Sequence, residues 1–265
     1  MVVLPRQSYR QSITVVITAL LCIGVITALQ LPQLKLLSKK AQTASATDFK
    51  TQVESEKLQL QFLRTVPSFG FDNILVDWVF INFILYFGDN EARLKTDYSL
   101  SPEYFEVIIE RDPYFLGAYS FISPSTTTYA GMPERSVALM NKGLKFLNPK
   151  VPPKSYFVWR YKAIDELLFL GKPEAAKQSY TKAAQWASIY SDEESHNVAK
   201  VSLQSAQFLE KNPNSKAAQI SAWVSVLTNA FDNQTRRNAI SRIQSLGGKI
   251  TITPQGQVSV AFPNE

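Results

Sequence analysis

The apolar positions of this chain fall into one long uncharged run followed by a series of stretches with the three- and four-residue spacing of amphipathic helices. Ile13 to Leu31 carries no charged residue. That length, against the ~20 residues a helix needs to cross a bilayer, reads as a single-pass anchor. The nearest small-x-small site, Ala44-Ser45-Ala46, lies well beyond the run, which disfavours a cleaved signal peptide. Residues 32–69 read as a polar juxtamembrane segment, with helix-compatible charges from Asp48 to Arg64. Phe71 to Phe87 is densely apolar and ends at Gly88. Its 14-residue core, Ile74 to Phe87, contains Asp77 and is short for a span, so it is expected to be a core helix or one touching a membrane surface.

Further helices follow. One opens at Ser101-Pro102-Glu103, with Ser101 as N-cap, and stops at Asp112-Pro113. Met132-Pro133-Glu134 starts a second, closed by Asn148-Pro149. Gly171-Lys172-Pro173-Glu174 starts a third, ending near Trp186. Asp192–Glu210, Ser215–Phe231 and Gln234–Leu246 complete the series. The period then changes to two. Lys249 to Phe262 has two alternating β-branched runs around Pro254-Gln255-Gly256-Gln257, the pattern of a β-hairpin that should pack on the last helix. The predicted fold is all-α: an antiparallel helical-hairpin array over residues 70–248, preceded by the tail 1–12 and the anchor, and closed by a hairpin over 249–265.

Gly171, Ala176, Tyr180 and Ala183 stand at the spacings of a turn glycine, a small residue, an aromatic and a second small residue in a tetratricopeptide (TPR) repeat. Phe105, Ile108 and Pro113, then Ser136, Met140 and Gly143, repeat the scheme more loosely. Ile164 stands where a small residue is expected, and Ser123 to Thr128 breaks a 34-residue period. With Asp77-Trp78, Tyr86-Phe87-Gly88, Arg111-Asp112-Pro113-Tyr114-Phe115, Lys142-Gly143-Leu144 and Ala175-Ala176 in that order, residues 70–190 resemble a group of membrane-anchored bacterial TPR-like proteins of uncharacterised function. The resemblance implies a helical array and no particular chemistry.

Charge sharpens this picture. The chain carries +6, but Arg6, Arg10, Lys35, Lys39 and Lys40 account for five of it. The rest balances 23 basic against 22 acidic groups, so no basic patch invites nucleic acid. Both flanks of the apolar run are positive, and a short positive tail favours a cytoplasmic N-terminus with the folded domain periplasmic or lumenal.

Candidate chemistry is sparse. Cys22 and His196 are the only cysteine and histidine, so Cys- or His-based metal sites are excluded and no cofactor is expected. No phosphate-binding loop, dinucleotide fingerprint or nucleophile elbow occurs. Ser191 and the acids after it read as an N-cap and first turn. Paired carboxylates, drawn from Asp72, Asp77, Asp165 and Glu166, offer the one route to catalysis, as in an envelope glycan hydrolase. Asp77 stands out as an acid in an apolar helix, though pairing with a base on a neighbouring helix explains it as well. The favoured reading is a non-enzymatic, membrane-anchored scaffold holding a segment of another protein in a helical groove, possible roles being assembly of a membrane complex or structural membership of one. Tyr161, Asp165 and Phe169 are expected to face that groove, with Asn82 and Tyr86 on the first helical pair. No small-molecule substrate is expected.

Overall fold

A computed structural model describes residues 16–18, 20–21, 24–25, 27–28, 30–31, 46–211, 216–230, 232–252 and 258–261. The chain forms two compact units, residues 1–49 and 50–265. In the first, the described residues between 16 and 31 are helical. Among the described residues no helix is long and apolar enough to cross a membrane. This overturns the single-pass anchor at Ile13–Leu31, and with it the cytoplasmic N-terminus and the periplasmic or lumenal domain. Thr18, Thr27 and Gln30 dilute the apolarity of the run. Residues 13–15, 19, 22, 23, 26 and 29 lie outside the described residues.

The remaining architecture is helical. The helices are α1 (Ala46–Thr65), α2 (Asp72–Gly88), α3 (Asn90–Thr96), α4 (Ser101–Arg111), α5 (Leu116–Ile122), α6 (Pro133–Leu144), α7 (Tyr156–Ile164), α8 (Pro173–Ala187), α9 (Glu193–Lys211), α10 (Lys216–Asn229) and α11 (Asn233–Ser245). Strands β1 (Lys249–Ile252) and β2 (Val258–Ala261) pair antiparallel, Ile250 opposite Val260. Ile250 and Val260 pack with Ile243 of α11, which gives the hairpin the support a lone two-stranded ribbon lacks. The expected turn residues, 254–257, lie outside the described residues.

The largest core gathers Val76, Val79 and Phe83 of α2, Phe105 and Ile108 of α4, and Met140 of α6. Leu60 of α1 belongs to it as well, with Val53 and Leu63 packed against it, so this part of the stretch read as juxtamembrane is docked on the fold. Two ends differ from expectation. Ser101 does not cap α4 but is its first residue, and its Oγ is buried without a hydrogen-bond partner among the described residues. Asp192, not Ser191, caps α9, accepting from the Ser195 amide at 3.0 Å and the Ser195 hydroxyl at 2.7 Å. A carboxylate there can satisfy an otherwise open amide and meets the positive helix end.

Two π-helical segments extend α5 and α7: Ser123–Tyr129 and Asp165–Phe169. Ser123 to Thr128 is therefore ordered helix of wider pitch, not a linker. The two segments close alike, forty positions apart. Ala130 N donates to Ser125 O at 3.0 Å, and Leu170 N donates to Asp165 O at 3.0 Å. Met132 N donates to Thr126 O at 2.8 Å, and Lys172 N donates to Glu166 O at 2.7 Å. Gly131 and Gly171 follow at φ 71° and 62°, a backbone region that glycine enters without steric cost. Pro133-Glu134 and Pro173-Glu174 then open α6 and α8. Hence α5–α6 and α7–α8 are two copies of one unit with a 40-residue period, longer than the 34 anticipated. The C-terminal helices sit over both turns. A Cβ on Gly131 would meet the Asn238 amide at 2.5 Å, and one on Gly171 would meet the Gln219 amide at 2.6 Å.

The π segment also accounts for Ile164. An i→i+5 turn inserts one residue and rotates everything before it by about a third of a turn. The small residue that packs against Ala176 and Tyr180 is consequently Ala163, buried at 0% exposure, one position earlier than α-helical counting gives.

Candidate partner-binding groove

Helix α8 packs against both α7 and α9, and the outer two helices flank an open groove. A cleft of about 490 Å³ lies between Phe157 and Arg160 on one side and Glu194, Asn197 and Val201 on the other. A second, about 290 Å³, continues from Val201 past Leu167 to Gln204 and Phe208. Val201 lines both, so the two clefts adjoin along α9. On α9, residues 194, 197, 201, 204 and 208 recur at three and four positions and therefore share a face. The floor is apolar: Val201 is 45% and Phe208 62% exposed. Arg160 supplies a guanidinium on the α7 wall, and among the described residues it forms no ion pair. Across from it, Lys154 holds Glu194 in a close ion pair at the groove's mouth.

Tyr161, Asp165, Phe169, Asn82 and Tyr86 are not among the residues lining these two clefts, and Asn82 lines a smaller one beside Trp78. Tyr161 packs into the main core and stacks on Phe157 at 6.1 Å. Phe169 stands edge-on to Trp223 at 5.0 Å, against α10. Asn82 is half-buried and donates to the Trp78 carbonyl at 2.7 Å. Tyr86 is buried under the Arg93 guanidinium, 3.8 Å from its ring, and its hydroxyl accepts from the Leu100 amide at 3.1 Å. Burial pushes the Tyr86 phenol up to about 12. Asp165 is wholly buried. Phe157, Arg160 and Leu167 line the clefts on the α7 side.

Asp165 instead joins the two repeat units. Its Oδ1 accepts from Ser123 at 2.6 Å; its Oδ2 accepts from Thr127 at 2.8 Å and Ser136 at 2.5 Å. All three hydroxyls belong to the first unit, and the spacing of Ser123 and Thr127 was the sequence signal for them. Burial raises the Asp165 carboxyl to about 6, while the hydroxyls from Ser123, Ser136 and Thr127 restrain the rise. Next to it, Glu166 meets Lys162 at 2.6 Å, and Ser179 bridges them, accepting from Lys162 at 2.8 Å and donating to Glu166 at 2.6 Å. Both acids serve packing contacts. Asp72 pairs with Arg111 at 3.2 Å. Asp77 is exposed rather than sunk in the core, which removes the reason for singling it out. No two of these four carboxylates face a common cleft among the clefts described. Nor do three or more His, Cys, Asp or Glu gather where they could hold a metal, among the described residues.

No family model, no curated protein and no solved structure matches the chain. The groove's own geometry therefore carries the functional argument.

Proposed function

We propose that this chain is a non-enzymatic protein-binding scaffold of TPR-like helical hairpins, and that the groove between α7 and α9 holds a segment of another protein. The observation that supports it most is the pair of adjoining clefts that share Val201, with Phe157, Val201, Leu167 and Phe208 as apolar lining and Arg160, Glu193 and Glu194 at one end. Its shape suits an extended or helical peptide more than a small molecule, because both clefts are open along their length. Apolar side chains three or four residues apart would seat on Val201 and Phe208. An acidic group on the same segment would meet Arg160, and charge-assisted hydrogen bonds to a guanidinium are among the strongest available.

The test compares groove variants with an outer-face control in pull-downs from the native host. A partner recovered by the wild-type chain should be lost with Arg160→Glu and with Val201→Asp. It should be retained with Lys182→Glu, an exposed position outside the groove. Equal recovery by all three variants, each shown to be folded by circular dichroism, contradicts the proposal.

A further inference from the structure

Helix α2 buries one face and leaves another apolar face uncovered. Val76, Val79, Phe83 and Tyr86 point into the core. Phe71, just before the helix, and Ile74, Trp78, Ile81 and Leu85 on it are 62, 59, 45, 59 and 67% exposed. Their steps of three, four, three and four residues place them on one stripe, the a and d positions of two heptads. A surface helix ordinarily turns its polar residues outward; α2 exposes this apolar stripe with Asp77 bordering it. Taking ~200 Å² for a large, fully exposed apolar side chain, the stripe presents roughly 600 Å², at the upper limit of what a monomer's largest apolar patch shows. Beside Trp78, in the same small cleft, lie Gln59 and Leu63 of α1. That helix exposes Leu58 at 66% and Phe62 at 62%, and Phe69 in the connection is 87% exposed. The ~600 Å² of the stripe alone reaches the low end, roughly 600 Å² per partner, of a specific stable interface.

The stripe is also self-similar about its middle. Trp78 is central, an isoleucine stands on each side of it, and a bulky apolar residue ends each arm. A two-fold interface uses the same patch on both molecules, and this order lets Trp78 lie on the axis with each isoleucine facing an isoleucine when the two helices run antiparallel. We infer that the exposed face of α2 is a two-fold interface between two copies of this chain, with Trp78 packed on its counterpart. The inference stands on α2 and does not rest on the groove.

The test uses the full chain in two forms. In the first, Cys22→Ser removes the native thiol and Trp78→Cys places one at the stripe's centre. Oxidation should give a disulfide-linked dimer whichever way the helices run, because the central residue meets itself in both. Lys182→Cys in the same background should give none. In the second, which does not depend on the cysteine variant folding, light scattering should return twice the 29.8 kDa chain mass for the wild type. With Ile81→Asp the mass should halve while the helical circular dichroism is unchanged. A wild-type mass of one chain at the highest attainable concentration overturns the inference. So does a single-chain mass accompanied by stripe-dependent flotation with phosphatidylglycerol vesicles, since lipid would then be what covers the face.

Discussion

Asp165 shows how one side chain can tie two repeats together at a cost in free energy. Three hydroxyls of the first unit converge on its carboxylate. Burial nevertheless holds it at about 6, above the usual carboxylate range. A carboxyl whose folded value exceeds its unfolded one binds its proton more tightly in the folded protein. It therefore penalises the fold above pH 6, and the penalty is relieved as pH falls through 6 towards 4. The difference of about 2 pH units corresponds to roughly 3 kcal/mol. Glu110 and Asp192 are held below their ordinary values by Arg64 and Lys142 and by Ser195 respectively, so their contributions fade only under more acid conditions. Denaturant midpoints measured from pH 7.5 to 5 should rise for the wild type, and Asp165→Asn should flatten that rise. A wild-type stability that falls over this range contradicts the assignment.

The neighbouring Lys162–Glu166 pair follows another rule. Lys162→Met strands a buried carboxylate and should cost about 3–5 kcal/mol, whereas combining it with Glu166→Leu should recover most of the loss. A double-mutant cycle measured by urea unfolding reads this directly; simple additivity would contradict it. At Gly143 the constraint is steric. A Cβ there would fall 1.9 Å from the Tyr119 hydroxyl, which itself donates to the Pro113 carbonyl at 2.8 Å. Gly143→Ala should therefore destabilise by about 1–3 kcal/mol in the same assay.

At the scale of elements, the π segments decide what faces what. If the one-residue offset before Asp165 is right, Ala163→Ile overfills the contact with Ala176 and Tyr180 and should cost about 1–3 kcal/mol. Ile164→Ala, at a half-buried site, should cost less. The reverse order, measured by thermal unfolding, would show that α7 follows ordinary α-helical phase. This offset marks the boundary of what the sequence discloses. Proline and glycine announce the starts of α6 and α8 because each acts locally, through a fixed φ or a left-handed turn. Alternation in Lys249–Ile252 and Val258–Ala261 announces the hairpin for the same kind of reason. A π turn has no comparable mark, since each of its residues has helical dihedrals and only the hydrogen-bond partner changes. A repeat alignment carried through Asp165–Phe169 therefore gave no sign that Asp165 is buried among the hydroxyls of the first unit. Asp77 failed differently: an all-apolar helix gives no sign of which face the core takes, and α2 turns Asp77 outward. For the anchor, among the described residues no helix is long and apolar enough to cross a membrane.

At the scale of the molecule, the two repeat units, the Asp165 clamp between them and α10–α11 seated over both turns make a rigid backing for the α7–α9 groove. Ion pairs from Glu110 to Arg64 and to Lys142 tie α1 and α6 to α4 on a separate face. The central claim is that this groove holds a segment of another protein, and a photo-crosslinking amino acid placed in turn along α9, in cells, tests it most directly. Crosslinks to a partner should recur at positions 194, 197, 201, 204 and 208 and be absent at 196, 200, 203 and 207, which are also exposed but belong to other faces. Crosslinks spread evenly over α9, or concentrated at the second set, would contradict a groove-binding scaffold.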